Sequence, residues 1–266
     1  MGEEEAQLLP ELLVPHIAGT IFRGGIHHFP SIGSTNLAAM RAGAEGARHG
    51  EVWLAEEQTS GKGRAAHSWS SPPGAGIYCS ALLRPRLAPA DAILLSLAAG
   101  LAVVQAVAEV TSLRADLRWP NDVLLGERKF CGILTELNAE VTRVRYVVVG
   151  IGINVNQEKF PPELASIATS LRIECGRRCS RLEFAAALLR ALDREQAALA
   201  SDPNEGRQSI LRRFEEKSSY CCNAAVTVEE DGGYEGITRG LDGHGFLQVE
   251  SAAGLRTVLS GGVRKR

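Results

Sequence analysis

Gly61 to Pro72, Gly-Lys-Gly-Arg-Ala-Ala-His-Ser-Trp-Ser-Ser-Pro, gathers more chemistry than any other stretch of the chain. Gly61 and Gly63 let the backbone reach positive φ or approach a ligand closely. Lys62 and Arg64 put two cations on that bend, and Trp69 adds an aromatic ring. Successive N–H groups in a Gly-rich turn form an anion-binding concavity, and a nearby indole can stack on a purine. The implied guest is a phosphate carrying a flat ring. A solvated hairpin loop has a similar composition, so these residues alone leave both readings open. Two familiar nucleotide motifs are excluded. A P-loop needs Gly where Glu56 stands and Ser or Thr where Gly63 stands. The dinucleotide fingerprint must open a helix, and Ser70-Ser-Pro-Pro-Gly74 forbids one.

Further polar groups stand where predicted elements begin or end. Ser34-Thr35-Asn36 opens a helix with Ser34 or Thr35 as N-cap, although ordinary capping also explains either hydroxyl. A strand over Val52 to Glu57 delivers Gln58 and the loop, and Gly76 to Leu83 is the returning strand. Asp116 to Trp119 is a short strand ending at Pro120-Asn121-Asp122, a composition equally at home in a plain turn. Val123 to Leu137 reads as a hairpin turning at Gly126-Glu127, with Lys129 just past the turn. Gly132 interrupts its second strand, which points to close approach of a ligand or another backbone. The β-branched run Arg143 to Val149 is a buried central strand that exits into Gly150-Ile-Gly152-Ile-Asn154. Ile21 to Phe29 is expected as a further strand.

The chain has 266 residues, 45% of them hydrophobic, enough for one substantial core and a small extra domain. Its net charge of -2 offers no global attraction to nucleic acid or an anionic membrane, so phosphate chemistry must rest on local cations. Only Lys62, Lys129, Lys159, Lys217 and Lys265 supply lysine among 29 basic residues, which makes a Lys beside a tight turn notable. The six cysteines include no Cys-x-x-Cys and no His at zinc-ligand spacing, so incidental thiols in a reducing cytoplasm are expected. The Met-Gly-Glu-Glu-Glu start lacks a signal peptide's basic region, and residues 1 to about 20 leave no room for a helix-turn-helix module. Ala92 to Val110 is expected to be a core helix, not a membrane span, since Ser96, Gln105 and Glu109 interrupt it. Helices follow from about Phe160 to Lys217, and four short glycine-separated segments from Ala224 to Leu259 predict a small β-barrel.

Taken together, Ser34-Thr-Asn36, Gln58, Gly61-Lys-Gly-Arg64 through Trp69-Ser-Ser-Pro72, Arg118-Trp-Pro-Asn-Asp122, Lys129 with Gly132-Ile-Leu134, and Gly150-Ile-Gly-Ile-Asn154 occur in the order and spacing of one family. The chain resembles the biotin protein ligases over residues 20 to 266. The resemblance implies an α+β fold: a mixed, mostly antiparallel sheet flanked by helices, class II synthetase-like, over residues 1–220, and an SH3-like barrel over 221–266. It implies formation of biotinyl-5′-AMP from biotin and ATP with Mg²⁺, then transfer to a lysine of the biotin carboxyl carrier protein. Catalytic roles fall on Lys129, Arg64 and Asp122, with Asp122 either near Mg²⁺ or orienting Lys129. Biotin falls to Ser34, Thr35, Gln58, Gly61, Lys62, Gly63, Gly132, Ile133, Leu134 and Gly150. ATP falls to Arg64, Trp69, Arg118, Asn121, Lys129 and Asn154. The chain departs from the family where Lys62 replaces Arg, Ala66 replaces Gly, and His67 takes a site of Arg or His. The expected protein is cytoplasmic, monomeric or homodimeric, and lacks the DNA-binding domain of the family's repressor branch. A lipoate protein ligase and a non-catalytic biotinyl-AMP-binding regulator are the alternatives, with nucleic-acid binding a poor third.

Overall fold

The computed structural model describes residues 7–64, 67–230 and 232–266. The acidic start through Ala6 and the exchange at Ala66 lie outside the described residues. Seven strands make the main sheet: β1 (Ile26–Phe29), β2 (Glu51–Ala55), β3 (Gly76–Leu83), β4 (Ala115–Arg118), β5 (Asp122–Leu125), β6 (Arg128–Ala139) and β7 (Val144–Asn154), in the order β1-β2-β3-β7-β6-β5-β4. Only β1 and β2 run parallel; every other pair is antiparallel. All eight residues of β3 are buried, as befits a central strand covered on both faces.

The helices are α1 (Pro10–Leu13), α2 (Thr35–Ala44), α3 (Ile93–Val110), α4 (Leu171–Cys175), α5 (Arg181–Ser201) and α6 (Pro203–Glu216). Strand alternation divides the sheet's two faces. Val147, Val149, Ile151 and Ile153 of β7 enter the large core built with α3 and α5. Tyr146 and Val148 turn the other way and pack with Ala39 of α2, Trp53 and Leu82. Gly150, Gly152 and Asn154 continue along that second face, Gly150 beneath Asn36 in the first turn of α2 and Gly152 beneath Trp69. The apolar helix α3 is long enough to cross a membrane, but most of it is buried inside the protein.

Several sequence expectations shift. Ile21–Gly24 forms a 3-10 turn rather than the first half of a strand, because the Thr20 hydroxyl accepts from Phe22 N–H and Phe22 is drawn into the core. β7 does not end at Val149: it runs on through both glycines to Asn154, held by β3 on one side and β6 on the other. Helix begins only at Leu171, not near Phe160. The C-terminal part has five strands where four were expected: β8 (Cys222–Val228), β9 (Tyr234–Leu241), β10 (Leu247–Ser251), β11 (Gly254–Val258) and β12 (Val263–Lys265). They form one antiparallel sheet, β11-β10-β9-β8-β12, in which the added β12 pairs with β8. Trp119 fastens this unit to the main sheet, its indole N–H donating to Gly245 O at 2.9 Å.

Candidate active site

The face of the sheet that carries α2 holds a narrow cavity, and the start of α2 forms one wall. Ser34 caps that helix, its hydroxyl oxygen accepting from Leu37 N–H at 3.4 Å. Gln58 Oε1 accepts from both the backbone N–H and the hydroxyl of Thr35, at 2.9 and 3.0 Å, while its Nε2 donates to Ser71 Oγ at 3.0 Å. One amide thus ties the helix start to both stems of the Gly61–Pro72 loop. Beneath it, Ser80 Oγ lies 2.8 Å from Thr35 Oγ1 and 2.6 Å from Asn36 Oδ1. Asn36 Nδ2 then donates to Leu134 O and to Glu136 Oε2, at 3.1 and 2.9 Å.

The floor is glycine. A Cβ on Gly152 would lie 2.5 Å from Trp69 Nε1, and one on Gly132 2.9 Å from the far edge of the same ring. The indole is therefore laid flat on the sheet where two strands carry no side chain, a constraint the sequence reading did not contain. Lys129 Nζ stands 5.3 Å from the Trp69 ring centroid, within cation–π range. The loop folds on itself: Trp69 N–H donates to Gly61 O at 2.9 Å and Gly63 N–H to His67 O at 2.7 Å. Lys62 and Ser68 form an antiparallel bridge between them.

Cations gather at one end. Asp122 holds two of them: Oδ1 is 2.5 Å from Lys129 Nζ, and Oδ2 accepts from Arg118 Nη2 and Nε at 2.5 and 3.2 Å. Burial pushes the Asp122 carboxyl up, but Lys129 and Arg118 together outweigh it and hold the group below the usual carboxylate range. Asp122 is thus an ionised group that orients Lys129. Arg64 Nη1 donates to Asn121 Oδ1 and to Gly261 O, each at 3.1 Å. Burial lowers the Arg64 pKa while Asp122 opposes the shift; a guanidinium stays charged regardless. Asn121 in turn donates from Nδ2 to Ile133 O at 3.0 Å.

Of the residues named from sequence, Ser34, Thr35, Gln58, Lys62, Gly63, Arg64, Trp69, Asn121, Lys129, Gly132, Ile133, Leu134 and Gly150 line this one cavity. Four do not. Gly61 sits at the loop's base, where a Cβ would meet Trp69 O at 2.5 Å. Arg118 and Asp122 stand behind Lys129. Asn154 shares the face of Gly150 and Gly152 but is turned into a buried network, donating to Thr169 O at 3.1 Å and accepting from Gln157 Nε2 at 3.2 Å. The cavity also includes Asn36, Tyr78, Cys79, Ile151 and Gly152, to which sequence reasoning gave no role. Period-two spacing from Gly150 marks Gly152, and a lone serine in a buried strand marks Ser80. Gly261 carried no such signal.

A glycine-floored cleft with an amide and hydroxyls at one end and two cations at the other defines a site for an extended ligand ending in an anion. The comparisons with known proteins agree with that class. Residues 29–154 match the biotin/lipoate A/B protein ligase family, and residues 222–266 match the biotin protein ligase C-terminal domain. The biotin acetyl-CoA-carboxylase ligase of Mycobacterium tuberculosis is 37% identical over 235 residues, covering 85% of this chain and 83% of that one. The bifunctional ligase/repressor of Bacillus subtilis is 34% identical over 234 residues, covering 86% of this chain and 70% of its own length. The Aquifex aeolicus biotin protein ligase, solved with biotin and ATP, superposes with a TM-score of 0.77 at 28% identity, covering 91% of this chain and 99% of that one. The chain belongs to the biotin protein ligase family.

Proposed function

We propose that this protein is an ATP-dependent biotin protein ligase. It joins biotin to the α-phosphate of ATP, releasing pyrophosphate, and passes the biotinyl group to a lysine of the biotin carboxyl carrier protein of an acetyl-CoA carboxylase. One observation carries this reading: Lys129 and Arg64, from different elements, border one cavity whose floor is the glycine pair Gly132 and Gly152. The names of the Mycobacterium tuberculosis and Aquifex aeolicus relatives support it.

In the first step a biotin carboxylate oxygen attacks the α-phosphorus and pyrophosphate leaves. Two anions must approach, so the positioned charges of Lys129 and Arg64 act where negative charge crowds. Ser34, Thr35 and Gln58 suit the ureido head, and Leu134 beside Gly132 and Gly150 suits the acyl chain, while the Ile133 side chain turns into the core on the other face of the sheet. Trp69 and Asn121 serve the nucleotide. Arg118 acts through Asp122, and a contact from the Asn154 amide requires exchange of its present bonds to Thr169 and Gln157.

In the second step the lysine amine attacks the acyl carbon, AMP leaves, and the amine gives up a proton. Asp122 is a weak base because two cations hold it ionised. Positioning of the amine against a good leaving group carries this step. Magnesium fits as a companion of the ATP phosphates and not as a metal held by the protein. Both Asp122 oxygens already face cations, and among the described residues no three His, Cys, Asp or Glu side chains gather.

The test is exchange of labelled pyrophosphate into ATP, followed by transfer to a carrier domain. Biotin-dependent exchange and a biotinylated carrier are expected. Exchange driven by lipoate and not biotin would reassign the enzyme, and no exchange with either would leave a non-catalytic binder.

A further inference from the structure

Arg181, the first residue of α5, lies apart from the cavity yet reaches both ends of the loop that forms its rim. Its Nη2 donates to Glu56 Oε2 at 2.7 Å, and its Nη1 donates to Gly76 O at 3.1 Å. Glu56 directly follows the last residue of β2, Ala55, and Gly76 is the residue on which β3 opens, so the connection between the two strands hangs between two groups held by one guanidinium. Backbone bonding repeats the closure, with Gly74 N–H donating to Glu56 O at 3.1 Å. Tyr78 OH adds a third tie by donating to Pro72 O at 2.9 Å.

The pair is deeply placed: Arg181 is 5% and Glu56 7% exposed. Glu56's remaining oxygen is fully used, accepting from Leu8 N–H at 2.8 Å and lying 3.1 Å from His28 Nε2. A buried ion pair is a poor source of net stability compared with apolar residues of the same shape. What a planar, two-armed guanidinium supplies here is geometry, because its two nitrogens fix the spacing of the two stems. Gln58, which reaches Thr35 at the cavity wall, is two residues from Glu56.

We propose that Arg181 and Glu56 are positioning residues for the ligand-binding loop, a buried clamp that sets the distance between its stems and so holds Gln58 and Gly61–Arg64 over the cavity. The inference rests on the biotin ligase reading and deepens it.

The test compares Arg181→Lys, which keeps the charge but has one ammonium for two acceptors, with Glu56→Gln, which keeps the shape and loses the charge. Leu192→Ala, a core cavity in the same helix, is the control for plain destabilisation. Biotin affinity is read by calorimetry and adenylation by pyrophosphate exchange, well below each variant's melting temperature. If the clamp positions the loop, biotin affinity falls on the order of tenfold to a hundredfold in at least one clamp variant. The KM for ATP rises as well, because Arg64 and Trp69 ride on the same loop, and Leu192→Ala keeps its biotin affinity. Biotin affinity unchanged in both clamp variants, or lost equally in Leu192→Ala, overturns the clamp. An unmutated protein that binds biotin but drives no exchange overturns the ligase reading instead, and the clamp is still decided by the binding measurement.

Discussion

Arg64 and Gly261 are 197 positions apart in the chain, yet the guanidinium of the first donates to the carbonyl oxygen of the second at 3.1 Å. Gly261 has φ +79, and a Cβ there would lie 2.5 Å from Glu229 O, so the turn that presents this carbonyl requires glycine. The C-terminal sheet thereby takes part in aiming a cation of the cavity.

Arg64→Lys tests that aim. A lysine keeps the charge, but an ammonium on a shorter, flexible stem does not reproduce the rigid guanidinium plane that holds Nη1 between Asn121 Oδ1 and Gly261 O. Adenylation measured by pyrophosphate exchange is expected to fall on the order of 10²-fold, with a much smaller change in melting temperature.

Lys129→Ala removes the ammonium from the carboxylate-to-phosphate junction. The exchange rate is expected to fall on the order of 10²–10³-fold. Asp122 keeps Arg118 as its partner, so the fold survives, as circular dichroism will show. Near-normal carrier labelling by this variant would remove the central assignment.

Gly150→Ala puts a methyl group into the Asn36 side chain. Asn36 must then give up its bonds to Leu134 O and Glu136 or its contact with Ser80, at a cost of about 1–3 kcal/mol for a buried polar group left unmatched. Biotin affinity should weaken while ATP affinity holds, a contrast that titration calorimetry can read.

Asp122 gives the protein an acid limb. Its folded-state pKa is depressed, so its contribution to stability is present above the ordinary carboxylate pKa of about 4 and is lost as pH falls through the lower folded value. Asp122→Asn should be less stable than the unmutated protein at pH 7 and should show a shallower loss of melting temperature below that window. Parallel acid limbs for the two proteins would contradict the ion-pair geometry.

The chain's thiols should be unreactive near the cavity. Burial pushes the Cys79 thiol up to about 12, and the thiolate is the reactive form. Iodoacetamide at pH 8 is expected to leave pyrophosphate exchange intact, and inactivation that biotin prevents would show that Cys79 is accessible after all.

Much of the site was legible because its chemistry is written locally. Gly61 to Arg64 declares a cationic turn, Pro120-Asn121-Asp122 a fixed strand end, and Lys129 a cation just past the turn of a hairpin, whatever they pack against. The strand β3 matches its expected bounds because eight residues between two strong breakers admit little else. The glycines of β7 were misread as an exit from the strand, since glycine alone weakens a strand and only its two flanking partners hold Gly150 and Gly152 extended. Ile21–Gly24 was misread for the complementary reason: a strand-like run of side chains was overridden by one hydroxyl cap and by the burial of Phe22.

By itself the sequence determined which residues carry charge, which positions lack a side chain, and therefore that a cavity of this family's kind could be built. Tertiary structure alone decided that Trp69 lies flat on Gly132 and Gly152, that Asp122 stands behind Lys129, that Asn154 faces Thr169 and Gln157, and that Arg181 and Gly261 hold the loop from afar. Such choices depend on strand register and on meetings between separate elements, as far apart in the chain as Arg64 and Gly261, that no local propensity encodes.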